Sequence, residues 1–312
     1  MDILELLNRP WQPPELPADI PHGDMPGDKV VIGGEHIAKA NTLFPPFLRQ
    51  LGPVLSASPA QRAVVAVCGG SGVGKSETAS LLSYYLRAMG VGSYTLSGDN
   101  YPHRIPRDND AERVRVYRTG GLRGLVAAGL CTPEVCAALR SLWLRDTDAE
   151  PAQADAAPWL SVYQRAGRRA LSGYLGTPGE IDFDEVSGII ARFKQGAPSL
   201  MLKRMGRETA ELWYDEVDVR DTQVLIIEWT HGNSDFIEGV DIPILLNSTP
   251  QETLAHRRER SRDGKPDSAF ITMVLELEQR KLESQAHKAR LILSKSGELL
   301  TYDEYRHLMA GA

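Results

Sequence analysis

A chain of 312 residues, 42 % hydrophobic and 24 % charged, can bury the core of one large domain or of one domain with an inserted subdomain. Its net charge of −6 argues against general nucleic-acid binding, while leaving room for a local basic pocket. No apolar run approaches the roughly 20 residues that cross a bilayer, and the start Met1-Asp2-Ile3-Leu4-Glu5 lacks the features of a signal peptide, so a soluble cytoplasmic protein is expected.

Pro10, Pro13, Pro14, Pro17, Pro21 and Pro26 predict an extended arm, because proline removes the N–H that helix and sheet need. Residues 29–32 read as a short strand. Residues 34–51 have helical spacing, broken at Pro45-Pro46. The run 63–67 is short, apolar and β-rich, as a buried parallel strand requires. Residues 75–89 repeat apolar side chains at helical spacing and stop at Gly90, and 91–96 form a second strand ended by Ser97-Gly98-Asp99. This is one βαβ unit.

Residues 108–180 are rich in Ala, Leu and Arg and lack strand patterns, which predicts a helical insertion over 111–180 with a surface connection at 150–158. A helix follows over 181–193, then an irregular or hairpin-like stretch over 194–214. Strands are predicted at 224–228, 242–246 and 289–293, and helices at 250–262 and 268–288. Strands alternating with helices predict a parallel sheet covered on both faces. The domain plan is an arm with short packing elements at 1–60, a core at 61–110 and 181–312, and the acceptor-selecting insertion between. Cys68, Cys131 and Cys136 show neither zinc spacing nor a disulfide pattern and read as small buried hydrophobes.

The segment from Gly69 to Ser76, GGSGVGKS, fits G-x-x-x-x-G-K-[ST]. Glycines let the backbone curl so that several N–H groups face phosphate oxygens, and the following helix adds its N-terminal dipole. The predicted nucleotide set is Gly70, Ser71, Gly72, Val73, Gly74, Lys75, Ser76 and Glu77, with Lys75 reaching the β- and γ-phosphates and Ser76 ligating Mg²⁺.

Asp99 ends the second strand, at the sheet edge where ligands bind. A carboxylate there can take the proton of an attacking hydroxyl, although a turn aspartate would look the same. Glu228 ends the third strand at that edge and can hold Mg²⁺ or the acceptor. Lys75, Asp99 and Glu228 are thus the catalytic candidates, and Ser76, Asp99 and Glu228 the metal candidates. Tyr101, His103 and Arg104 with Arg107 form a polar, basic patch suited to an acceptor; His231, Lys203 and Arg204 are further candidates. Arg257, Arg258, Arg260 and Arg262 exceed what a helix C-terminus needs and read as a lid that clamps a triphosphate, with Arg258 and Arg262 as nucleotide contacts.

In this order the segments resemble the uridine kinase/phosphoribulokinase group of P-loop kinases, which includes bacterial-type pantothenate kinase. The likeness rests on Gly69–Ser76, on Ser97–Tyr101, on 181–184, IDFD, on 224–228, on 240–246 with the arginines before Asp263, and on 288–293. It covers about 62–110 and 180–294; Trp229 stands where that group has glycine. The resemblance implies a P-loop NTPase fold with a five-stranded parallel sheet in the order 2-3-1-4-5. It implies Asp99 as base and Asp184 near the acceptor. ATP and Mg²⁺ are the implied cofactors. The expected partner is a small-molecule hydroxyl acceptor of nucleoside, sugar or sugar-phosphate type, with no nucleic acid and no membrane; a homodimer is left open. An adenylylsulfate kinase-like activity is an alternative, as is a nucleotide-binding switch or regulatory NTPase without a metabolite acceptor. The switch reading is disfavoured because no Asn-Lys-x-Asp or Asp-x-x-Gly follows Ser76.

Overall fold

The computed structural model describes residues 3–310 except 8, 18, 29, 250–251 and 254–267. The first elements are α1 (Ile3–Leu7), α2 (Gly34–Ala57), β1 (Ala63–Gly69), α3 (Lys75–Ala88) and β2 (Ser93–Ser97). Then come α4 (Pro106–Ala127), α5 (Pro133–Leu144), α6 (Pro151–Ala156), α7 (Pro158–Ser172), α8 (Phe183–Lys194), β3 (Ser199–Met205) and β4 (Leu212–Asp218). The last are β5 (Val224–Glu228), β6 (Ile242–Leu246), α9 (Ala269–Gln285), β7 (Leu291–Leu293), β8 (Leu299–Leu300) and α10 (Tyr302–Ala310). They fall into two compact units, one of residues 1–101, 182–253 and 281–312, the other of residues 102–181 and 254–280.

The first unit holds a sheet of order β2-β5-β1-β6-β7-β8. The first five strands are parallel, in the expected order, and β8 adds an unanticipated antiparallel edge. β1 and β5 are buried along their whole length, which is why they read as unbroken apolar runs rather than alternating ones. Register aligns Ser97, Glu228, Val67 and Ile244 across β2, β5, β1 and β6. The C-terminal ends that carry polar side chains therefore lie in one row. β3 and β4 form a separate antiparallel hairpin running from Ser199 opposite Asp218 to Met205 opposite Leu212.

Several local expectations fail for physical reasons. Helix α2 runs through Pro45, Pro46 and Pro53 without a break. Each interior proline costs about 3 kcal/mol, and burial offsets it: Leu43, Phe44, Phe47, Leu48, Leu51 and Leu55 all face the core, with Phe44 5.2 Å from the Tyr85 ring. The arm opens with helix α1, and it is packed down: Trp11 lies 5.0 Å from Phe44, and the Tyr84 hydroxyl donates to Glu15 O at 2.7 Å. Residues 30–32 form no strand, and the closing strand shrinks to Leu291–Leu293 after a short 3-10 turn. Only Cys68 is a buried cysteine; Cys131 is exposed and Cys136 half-buried.

The second unit is helical. Its core gathers Tyr117, Leu125, Leu139, Leu160, Tyr163 and Leu171 with Met273, Val274 and Leu277 from the α9 sequence. Glycines bring α4 and α7 together: a Cβ on Gly124 would stand 2.3 Å from Ala166 Cβ, and one on Gly121 2.4 Å from the Tyr163 ring. That ring cannot retreat freely, because its hydroxyl donates to Asp148 Oδ2 at 2.8 Å and accepts from Trp143 Nε1 at 2.9 Å. Gly121→Ala should therefore destabilise this unit by about 1–3 kcal/mol through overpacking, despite the better helix propensity of alanine. Thermal unfolding checks this, and an unchanged or higher Tm would show that the helices can separate cheaply.

Candidate active site

The phosphate-binding turn is built as its glycines require. Gly72 (φ 77°) and Gly74 (φ 97°) occupy the left-handed region that side chains with a Cβ disfavour. A Cβ on Gly69 would sit 2.5 Å from Leu246 O, so the turn presses against the end of β6. Gly74 is the N-cap of α3, whose first N–H groups open toward the loop. The Lys75 ammonium folds back and donates to Gly70 O at 3.1 Å. Gly70, Ser71 and Gly72 are half-buried and Val73 buried. The Glu77 side chain is 1 % exposed, so any phosphate contact at that position falls to its backbone N–H.

Glu228 ends β5 beside this loop. Its Oε1 accepts from Ser76 Oγ at 3.1 Å and its Oε2 from Ser97 Oγ at 3.4 Å. Burial pushes this carboxyl up to about 7, and the negative charge of Asp99 acts in the same direction. The Lys75 charge and the two serine hydroxyls pull it down, in part. Asp99 is exposed on a 3-10 turn, Gly98–Asn100, and its N–H donates to Ser97 Oγ at 3.2 Å. Ser97 thus binds both acidic positions. A serine hydroxyl and a carboxylate oxygen 3.1 Å apart are hard oxygen donors of the kind Mg²⁺ takes alongside phosphate oxygens, so Ser76 and Glu228 fit that ion.

Trp229 replaces the glycine of the resembled group, and its environment adapts. It is 1 % exposed and lies under the Asp99 turn, where a Cβ on Gly98 would come within 1.9 Å of its Cγ. Trp229 also packs 5.3 Å from Phe183 and 5.5 Å from His231, and Phe236, 45 % exposed, extends this aromatic cluster to the surface.

Among the acceptor candidates, Tyr101 is buried, and that burial pushes its hydroxyl up. Lys203, 7 % exposed, is lowered by burial, against the opposing charges of Glu185 and Asp182. Asp184 is exposed in the first turn of α8, which Asp182 caps by accepting from Glu185 N at 2.9 Å. Arg204 is committed elsewhere: it donates to Asp24 at 2.8 Å, Asp215 at 3.1 Å and the Tyr94 hydroxyl at 3.1 Å. Its guanidinium cross-links the hairpin to the arm and to β2. His103 and Arg104 belong to the helical unit, where His103 Nε2 is 2.9 Å from Pro178 O and Arg104 donates to the Tyr174 hydroxyl at 3.1 Å. Arg258 and Arg262, with the expected arginine lid, lie outside the described residues. Sequence reasoning missed Ser97, whose only signal was its place two residues before Asp99, and Asp24, which has none.

The raised carboxyl of Glu228 has a signed consequence for stability. The folded state holds this proton more tightly than the unfolded chain, so its contribution is full below about 4.5 and is lost as pH rises through about 7. Denaturant titrations of the nucleotide-free protein should show stability falling across that window, with a shallower fall in Glu228→Gln. Identical pH slopes in the two proteins would mean that Glu228 is not held protonated.

No family model matches the chain. It is 40 % identical over 238 residues to the bifunctional alpha-galactosidase/sucrose kinase AgaSK of Mediterraneibacter gnavus, which is 76 % of this chain. The chain spans about one fifth of that relative's length, 20 %. Among solved structures, D-glycerate 3-kinase from Cryptococcus neoformans var. grubii is similar with a TM-score of 0.47 and 12 % identity, over 86 % of this chain and 98 % of that one.

Proposed function

We propose that this chain, which has the P-loop kinase fold, transfers the γ-phosphate of ATP to a hydroxyl of a carbohydrate. The observation that carries the reading is the set of groups at the sheet's C-terminal edge: the P-loop, Ser76 within 3.1 Å of a buried Glu228, and Asp99 on a turn tied to the same Ser97. Such a set supports phosphoryl transfer, which depends on positioning and charge neutralisation more than on covalent chemistry.

The roles follow from the geometry. Loop N–H groups from Gly70 to Ser76 bind the β- and γ-phosphates, and the Lys75 ammonium, leaving Gly70 O, neutralises their charge. Ser76 and Glu228 would hold Mg²⁺, which would supply neutralisation of the phosphate charge. Asp99, exposed on its turn, takes the proton of the acceptor hydroxyl as its oxygen attacks the γ-phosphorus and ADP departs. Tyr101, Lys203, Asp184 and His231 are assigned to the acceptor, and Arg258 and Arg262 to the triphosphate.

Two observations favour a sugar. The relative matched over 238 residues is named for an alpha-galactosidase and a sucrose kinase, and a P-loop suits the kinase half of that name. The Phe236 ring, 45 % exposed and backed by the buried Phe183, offers an apolar face for the C–H face of a sugar ring. The cytoplasm, where ATP is supplied, is the compartment this reading requires.

With ATP and Mg²⁺, ADP production should rise on adding sucrose or a monosaccharide, and less on adding glycerate or uridine. Lys75→Ala should lower kcat/KM at least about 100-fold by removing phosphate charge neutralisation. Asp99→Asn should lower kcat about 100- to 10,000-fold with little change in nucleotide affinity. Sugar-independent hydrolysis, equal in wild type and Asp99→Asn, would sink the proposal.

A further inference from the structure

Asp24 lies in the proline-rich arm, 70 residues or more from the segments it touches. Its side chain is 9 % exposed, and both carboxylate oxygens are taken. Oδ1 accepts from Ser97 N at 2.7 Å and from Asn100 Nδ2 at 3.3 Å. Oδ2 accepts from the Tyr94 hydroxyl at 3.0 Å and from Arg204 Nη1 at 2.8 Å. The bonds to Oδ1 fall on either side of Asp99. Each is then passed on: Ser97 Oγ binds Asp99 N and Glu228, while Asn100 Oδ1 accepts from Met205 N at 2.9 Å at the end of β3.

We infer that Asp24 is a positioning residue for phosphoryl transfer, fixing the turn that presents Asp99 and holding that turn against the Lys203–Met205 end of the hairpin. This rests on the proposed role of Asp99 as the base. A buried carboxylate is costly to desolvate, and one paired only to anchor an arm could be replaced by apolar packing. What an apolar contact could not do is satisfy the Ser97 N–H and the Asn100 amide together. Trp229 already fills the space beneath Gly98, so the turn is clamped from below by an aromatic ring and at its two ends by one carboxylate. Among the described residues Asp24 makes no bond to the nucleotide loop, and Arg204 is the one acceptor candidate to which its bonds run. Its loss should therefore misplace Asp99 while leaving the P-loop intact, and misplacement of about 1 Å can cost on the order of 100-fold in rate.

The test compares full-length wild type, Asp24→Ala and Asp24→Asn with sucrose as the acceptor probe. In Asp24→Ala, kcat should fall about 30- to 100-fold with KM for ATP unchanged within about two-fold. Asp24→Asn keeps an oxygen for Ser97 N–H and should recover at least about five-fold of that loss. Amide hydrogen exchange supplies the readout that needs no acceptor: peptides over 94–101 should exchange about 10-fold faster in Asp24→Ala, while peptides over β1 and β6 do not change. The inference is overturned if 94–101 stays protected, if kcat is unaffected, or if every strand exchanges faster, since the last would make Asp24 a general staple. Should wild type transfer no phosphate to sucrose, the sugar reading fails by itself, and the exchange comparison alone decides the place of Asp24.

Discussion

The arrangement depends on a carboxylate ending a buried strand. Glu228 follows four apolar residues of β5 and is flanked in register by Ser97 of β2 and Val67 of β1. Water cannot solvate it there, so the charge must be met by protein hydroxyls, by the nearby Lys75 or by a proton. The two serines that meet it come from different loops. Ser76 opens the helix after the phosphate-binding turn, and Ser97 closes β2 before the turn bearing Asp99. One desolvated group thereby ties the two chemically important loops to the same point of the sheet.

That tie is possible because the five parallel strands send their C-terminal ends to one edge. The loops leaving this edge can then specialise without disturbing the ladder. Trp229 shows how far such specialisation goes. A residue that would collide with its neighbour in most contexts is accepted because position 98 is glycine, and it lends its ring to a cluster with Phe183, His231 and Phe236. The same exchange of bulk for backbone approach recurs in the helical unit, where Gly121 receives the Tyr163 ring and Gly167 the Tyr117 ring. Tyr117 and Tyr163 meet edge to face at 5.6 Å between these glycines.

The arm gives the other half of the design. Its prolines do prevent regular structure among the described residues of 9–28, yet the segment is pinned by Trp11, by Ile20 and by Asp24. Proline lowers the entropy lost when such a strap is laid down, and the strap then delivers a charge to a place that no neighbouring strand could reach. Arg204, at the buried end of β3, completes that contact. Its partner lies 180 residues away in sequence, so the residues beside Arg204 carry no sign of it.

The amino-acid sequence by itself determined the local chemistry that has a short-range signature. Gly69–Ser76 needs glycine where φ is positive and lysine and serine at the helix start, so it declares itself. The runs at 63–67 and 224–228 declare central parallel strands because both faces are buried. The placement of Asp99 and Glu228 at strand ends was legible for the same reason. Tertiary structure alone decided what depends on partners far apart in the chain. Helix α2 survives its prolines because the core rewards the buried face, Arg204 turns to Asp24, and His103 and Arg104 find partners in the helical unit. Ser97 and Asp24 become part of the site only when β2, β5 and the arm converge. Local pattern records a residue's own conformational needs; it carries no record of which distant group will satisfy a buried charge.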